Sequence, residues 1–180
     1  MTHSGANSDW ESFIALLEPK SGERILDVGA GNGEKASRIL QSFPGTEVYA
    51  VDPDEKRIAE ARQSHPGVKS SVAAAESLPF EDSIFDKAYS TMALHHFADL
   101  DLALPEIERV LKRQGTYVVL EVEPGSLTGR LFRFFGRITG EHTNIMTQSE
   151  CLARLKAAKG LEVVSSTGLG AKYLARLMKQ

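Results

Sequence analysis

Arg24-Ile-Leu-Asp27-Val-Gly29-Ala-Gly31-Asn-Gly33 decides the fold of this chain. A short apolar run, the pattern of a buried strand, enters a turn with glycine at every second position. A helix-forming stretch follows from Glu34. Glycine has no Cβ to hold a ligand away from the backbone and tolerates φ > 0 in the turn. The following helix aims its unpaired N–H groups into the same crevice. The pattern predicts a small polar ligand lying across the turn.

Spacing narrows that ligand. A dinucleotide fingerprint reads G-x-G-x-x-G; here the third glycine comes one position early and Glu34 stands in its place. No Gly-Lys-Ser/Thr follows, which excludes a P-loop. The next strand, Glu47-Val-Tyr-Ala-Val51, ends at Asp52, about 20 residues on, where a carboxylate meets ribose hydroxyls in such folds. A nucleoside ligand without a pyrophosphate fits, and S-adenosyl-L-methionine is one.

Ile25–Gly33, Val51-Asp52-Pro53-Asp54, Glu76-Ser-Leu-Pro-Phe80 with Phe85-Asp86, Ala93-Leu-His-His96 and Glu106–Lys112 stand in order along the chain. Together they resemble the class I S-adenosylmethionine-dependent methyltransferases, of the subgroup that includes the ubiquinone/menaquinone-biosynthesis C-methyltransferases. The resemblance is strong from Arg24 to Val122 and topological beyond. It implies a Rossmann-like, doubly wound α/β fold. The sheet would be seven-stranded and mostly parallel, with an antiparallel C-terminal strand and helices on both faces. It also implies methyl transfer to a small-molecule acceptor, with S-adenosyl-L-homocysteine as product. A non-catalytic S-adenosylmethionine-binding accessory protein and an NAD-binding oxidoreductase remain as alternatives.

The chain has 180 residues, 42% hydrophobic and 25% charged, with net charge −3 and pI near 6.0. These are ordinary values for a globular domain and argue against a polyanion-binding surface, making nucleic acid an unlikely partner. Cys151 is the single cysteine, so no internal disulfide can form. Met1–Asn7 has neither the basic start nor the apolar run of a signal peptide, which predicts a cytoplasmic protein. Residues 1–180 read as one domain. Alternation of strand and helix signals predicts strands at 24–28, 47–51, 68–73, 85–90, 116–122, 161–167 and 172–178. Helices are expected near 34–43, 55–64 and 99–112, the last kinked or restarted at Pro105 and closed by Gly115. Ser8-Asp-Trp-Glu11 and Thr147-Gln-Ser-Glu150 read as capping boxes that open two further helices.

By resemblance and chemistry, Gly29, Ala30, Gly31 and Gly33 hold the methionine moiety. Asp27 reaches its amino group or, alternatively, caps the glycine turn. Asp52 can accept from two vicinal hydroxyls, with Pro53 beside the adenine edge. The family's adenine-binding Asp is replaced here by Ala74, leaving the Ala75 N–H and the Glu76 carboxylate to approach the ring. Ser90 to Met92 end the fourth strand on the ligand side, where the substrate should meet the methyl group, and Ser90 is taken as a cofactor residue. His95 and His96 follow as candidate general bases, or as residues that cap a helix and pack beneath the cofactor. Adjacent histidines without a partner set argue against a metal site. Glu121, His142 and Asn144 are further polar candidates.

Residues 127–147 read as a substrate-covering insert. Within it, Arg130, Arg133 and Arg137 share one helical face, and Leu131, Phe134, Phe135 and Ile138 another. Such a helix suits a lid over an apolar or anionic acceptor, or peripheral membrane contact through 127–140.

Overall fold

The computed structural model describes residues 4–127, 129 and 146–180. The segment 130–145, which carries most of the expected insert together with His142 and Asn144, lies outside the described residues. Helix α1 (Ser4–Leu17) precedes β1 (Arg24–Val28), α2 (Glu34–Ser42), β2 (Glu47–Asp52), α3 (Glu55–Ser64) and β3 (Lys69–Val72). Then come β4 (Phe85–Thr91), a 3-10 turn (Leu94–His96), α4 (Leu100–Val110) and β5 (Leu111–Val122). The chain ends with α5 (Gln148–Ala157), β6 (Leu161–Gly168) and β7 (Lys172–Lys179). The strands form one sheet in the order β3-β2-β1-β4-β5-β7-β6. The first five in that order pair in parallel, whereas β7 is antiparallel to both β5 and β6.

Neighbouring residues on the central strands feed opposite faces, as the period of two requires. Leu26, Ala88 and Val119 join a core with Leu104 and Ile107 of α4 and Leu155 of α5. Ile25, Tyr89 and Val118 join a second core with Phe13 and Leu17 of α1 and Ile39 of α2. Burial on both faces explains why these strands read as continuous apolar runs. After β3 the chain returns past β1 to lay β4 on its other side. The crevice at the carboxyl ends of β1 and β4 is therefore the topological switch point, where open α/β sheets bind ligands.

Three local expectations need correction. Helix α1 already runs from Ser4, so Ser8 lies within it and the Ser8–Glu11 pattern does not open it. Helix α4 passes through Pro105 without restarting; Asp99 caps its start, accepting from the Asp101 N–H at 2.8 Å. Gly115 does not close that helix, which ends at Val110. Gly115 belongs to β5, in a bulged stretch between the Phe85–Leu111 and Lys87–Thr116 pairs, and Gln114 there has φ 62°. The Thr147 capping box is present, with side chain and backbone bonded reciprocally to Glu150. No helix among the described residues is long and apolar enough to cross a membrane.

Candidate functional site

The glycine turn is built by backbone bonds to β2. Gly29 and Ala30 both donate to the Val51 carbonyl at 2.9 Å. Gly29 has φ 80°, and a Cβ on it would sit 2.5 Å from the Ala93 Cβ. Only glycine fits there, because the turn must pass directly beneath the loop after β4. Asp52 ties the turn to the second strand: Oδ2 accepts from the Gly31 N–H at 2.8 Å and Oδ1 from the Asp54 N–H at 3.0 Å. Each carboxylate oxygen retains acceptor capacity for a ligand hydroxyl.

A cleft of about 350 Å³ opens above this frame. Gly29, Asp52, Pro53, Ala75 and Glu76 line it, together with Ala73 and Ala74. The opposite wall is Met92, Ala93, His96, Phe97 and Ala98. Glu76 Oε1 accepts from the Asp99 N–H at 3.0 Å, which joins the two walls. A second, more polar cleft of about 480 Å³ lies over Gly29, Ala30, Gly31 and Asn32, bounded by Lys35, Arg57, Thr91 and Met92. Gly29, Arg57 and Met92 border both, so the two form one trough across the switch point.

Asp27 lies beneath the turn and is 1% exposed. Its Oδ2 accepts from the Tyr89 hydroxyl at 2.9 Å. Its Oδ1 has no hydrogen-bond partner among the described residues. Burial pushes the carboxyl pKa up to about 7; the Tyr89 bond and the Lys35 charge oppose that shift, and the Asp52 charge adds to it. A buried oxygen without a donor is costly. An orphaned acceptor beneath a cradle that only glycine can form fits a ligand that brings a cationic donor, as the ammonium of S-adenosylmethionine does.

The remaining candidates fall in different places. His96 lines the first cleft, on the wall opposite Ala74 and Glu76. His95 is 2% exposed, with Nδ1 2.8 Å from Glu121 Oε2; Glu121 Oε1 accepts from the Leu94 N–H at 2.8 Å. Glu121 thus holds the 3-10 turn that carries both histidines. Ser90 is fully buried, its Oγ accepting from the Tyr117 hydroxyl at 2.9 Å, and lines neither cleft. Its side chain points into the sheet's packing because strand residues alternate, whereas Thr91 reaches the trough. Gly33 has φ 77° and starts α2.

Sequence reasoning passed over Arg57, and of residues 90–92 it carried only Ser90 forward as a cofactor residue, whereas Thr91 and Met92 are the two that line the trough. Arg57 has a signal, its place in the first turn of the helix after Asp52-Pro-Asp. Met92 holds φ 55° although it is not glycine, and its N–H donates to the Leu120 carbonyl at 2.7 Å. Such strain costs on the order of 1 kcal/mol and concentrates at functional sites. The Leu78–Phe80 segment is held from α4. Glu106 accepts from the Leu78 N–H, and Arg109 donates to the Leu78 and Phe80 carbonyls.

The family described as "Methyltransferase domain" matches residues 26–119, a span that contains every residue lining these two clefts. The chain belongs to the class I S-adenosylmethionine-dependent methyltransferases. A demethylmenaquinone methyltransferase of Thermotoga maritima is 29% identical over 135 residues, 73% of this chain and 59% of that one. The Thermus thermophilus enzyme of the same name is 35% identical over 125 residues, 67% of this chain and 57% of its own length. This methyltransferase chain thus spans less than two thirds of the curated relatives it matches. A crystal structure of an S-adenosylmethionine-dependent methyltransferase from Thermotoga maritima superposes with a TM-score of 0.79 at 24% identity. That match covers 99% of this chain and 91% of the other, and establishes the shared fold. The nicotinamide reading of the glycine turn is not favoured by these matches.

Proposed function

We propose that this chain is a single-domain, cytoplasmic enzyme that moves the methyl group of S-adenosyl-L-methionine to a small-molecule acceptor. The observation that carries the proposal is the orphaned Asp27 oxygen beneath the Gly29–Gly33 cradle, with Asp52 at the neighbouring strand end. Asp27 receives the ammonium of the methionine end. The turn lets that end approach the backbone, and Asp52 accepts from the ribose hydroxyls. Pro53, Ala75 and Glu76 face Ala93, Phe97 and Ala98 across the nucleoside end. Alanine at 74 leaves adenine to backbone contacts, packing and Glu76, so this end is held less tightly than an acidic side chain would hold it. When bound, the cofactor supplies an electrophilic sulfonium methyl group. What the protein adds is in-line orientation and exclusion of water.

A base is required only for an acceptor that enters protonated. His96 is the exposed candidate on the trough wall, with the His95–Glu121 pair fixing the turn on which it stands. A base role predicts that His96→Ala lowers kcat in a pH-dependent way, beyond any change in S-adenosylhomocysteine affinity from the wall it lines.

Calorimetric titration with S-adenosylmethionine, S-adenosylhomocysteine and NADH tests the cofactor assignment. Micromolar binding of both adenosyl ligands is expected. Asp52→Ala should weaken them roughly 30-fold, since two hydrogen bonds at about 0.5–1.5 kcal/mol each are lost. Preference for NADH, or no binding of either adenosyl ligand, overturns the proposal.

A further inference from the structure

The trough does not end at Thr91. Lys35 and Thr91 also border a third cavity of about 230 Å³, whose other walls are Trp10 and Phe13 of α1, Arg38 of α2 and Leu120 of β5. This cavity sits at the carboxyl ends of β4 and β5, on the side of the glycine turn away from the nucleoside cleft. Its walls are rigid. Trp10 and Phe13 pack with ring centroids 5.6 Å apart, and Phe13 meets the buried Tyr89 edge-on at 5.2 Å. Helix α1 is pinned to β7 by Lys172, which donates to Asp9 Oδ2 at 2.7 Å.

The charges around the cavity do not cancel. Lys172 and Asp9 neutralise one another. That leaves the cations Lys35 and Arg38 against one carboxylate, Glu34. The Arg38 guanidinium stacks over the Trp10 ring, 4.1 Å from its centroid. That contact anchors the guanidinium beside the cavity, and its planar fork suits a carboxylate or a phosphate.

We propose that this cavity is the acceptor subsite, and that it takes a small molecule with an apolar, ring-sized body and one carboxylate or phosphate group. The proposal rests on the cofactor reading above, because the methionine end then lies next to Thr91, where the acceptor's nucleophile must arrive. Trp10, Phe13 and Leu120 take the body; Arg38 and Lys35 take the anion. The cavity is smaller than the ~300–1,000 Å³ of sites for drug-sized ligands, which sets the size of the acceptor.

Trp10 is the only tryptophan of the chain, so its fluorescence reports directly on this wall. The test is titration of the full chain with phenyl phosphate, benzoate and the neutral benzyl alcohol, with and without saturating S-adenosylhomocysteine. Saturable change with both anions is expected when the adenosyl ligand is present, with binding of the alcohol roughly tenfold weaker. Arg38→Gln should weaken the anions by a similar factor while calorimetry gives unchanged S-adenosylhomocysteine affinity. A silent Trp10 in protein that binds S-adenosylhomocysteine overturns this proposal alone. So does an equal response to the alcohol, or indifference to Arg38→Gln. Failure of the wild type to bind S-adenosylhomocysteine overturns the cofactor reading, and this proposal with it.

Discussion

The two ends of the trough are made of different material. The nucleoside end is largely backbone and alanine: the Gly29 turn, Ala73–Ala75, Ala93 and Ala98, with Asp52, Arg57 and Glu76 as the charged side chains set among them. The other end is long side chains from α1 and α2, namely Trp10, Lys35 and Arg38. Backbone contacts are placed by strand register and turn geometry, so any chain with this fold can supply them. Long side chains are placed by which helix face meets the cavity, and they can be exchanged without disturbing the sheet. On the proposed assignment, the cofactor is held by backbone geometry and the acceptor by exchangeable side chains.

Asp27, buried beneath the glycine turn, offers the largest test. Burial raises its folded carboxyl pKa to about 7 from the ordinary 3.8, so the folded state holds its proton more tightly than the unfolded state. Stability from this group is complete below pH 4 and is lost as pH rises towards 7, by about 4 kcal/mol at most. Urea unfolding of wild type and Asp27→Asn from pH 4 to 8 should show their difference shifting by about that amount against wild type. Saturating S-adenosylhomocysteine should shrink the shift, because its ammonium favours the ionised carboxylate. A pH-independent difference would remove Asp27 from the cofactor's path.

Gly29→Val attacks the cradle common to both ends. Positive φ and overlap with Ala93 together predict about 3 kcal/mol of destabilisation and loss of adenosyl binding. A variant that folds and binds normally would show that the turn does not need its closeness to Ala93. Glu121→Gln strikes only the wall of the nucleoside end, by weakening the hold on the Leu94–His96 turn. About 2 kcal/mol of stability should be lost, with a larger fall in S-adenosylhomocysteine affinity than in anion binding to the Trp10 cavity. Equal losses at both ends would mean that the trough behaves as one unit. The smallest effect is a gain: Ala74→Asp should tighten S-adenosylhomocysteine by up to about tenfold, the worth of one added hydrogen bond. No gain would mean that adenine does not reach position 74.

Much of this molecule was legible in its residues. The seven strands were placed to within a residue or two, apart from β5, whose start is displaced by its bulge. The antiparallel C-terminal strand followed from the family resemblance and not from a local pattern. The errors were local. Ser8-Asp-Trp-Glu11 imitates a helix start because a capping pattern and a polar stretch inside a helix use the same residues. Gly115 imitates a helix stop because a bulge and a helix end both favour glycine. Ser90 and Thr91 were indistinguishable by position until strand alternation chose between them.

By itself the sequence determined the sheet, the glycine turn and Asp52, because each is written in neighbouring residues: apolar runs, spacing of glycines, an acid at a strand end. Tertiary structure decided the rest. It orphaned one oxygen of Asp27, gave Glu121 to the His95 turn rather than to the trough, sank Ser90, and brought Trp10 and Arg38 against Thr91 and Leu120. Those outcomes depend on residues far apart in the chain, and on which face of each helix or strand meets its neighbour. That is settled only when the two cores pack.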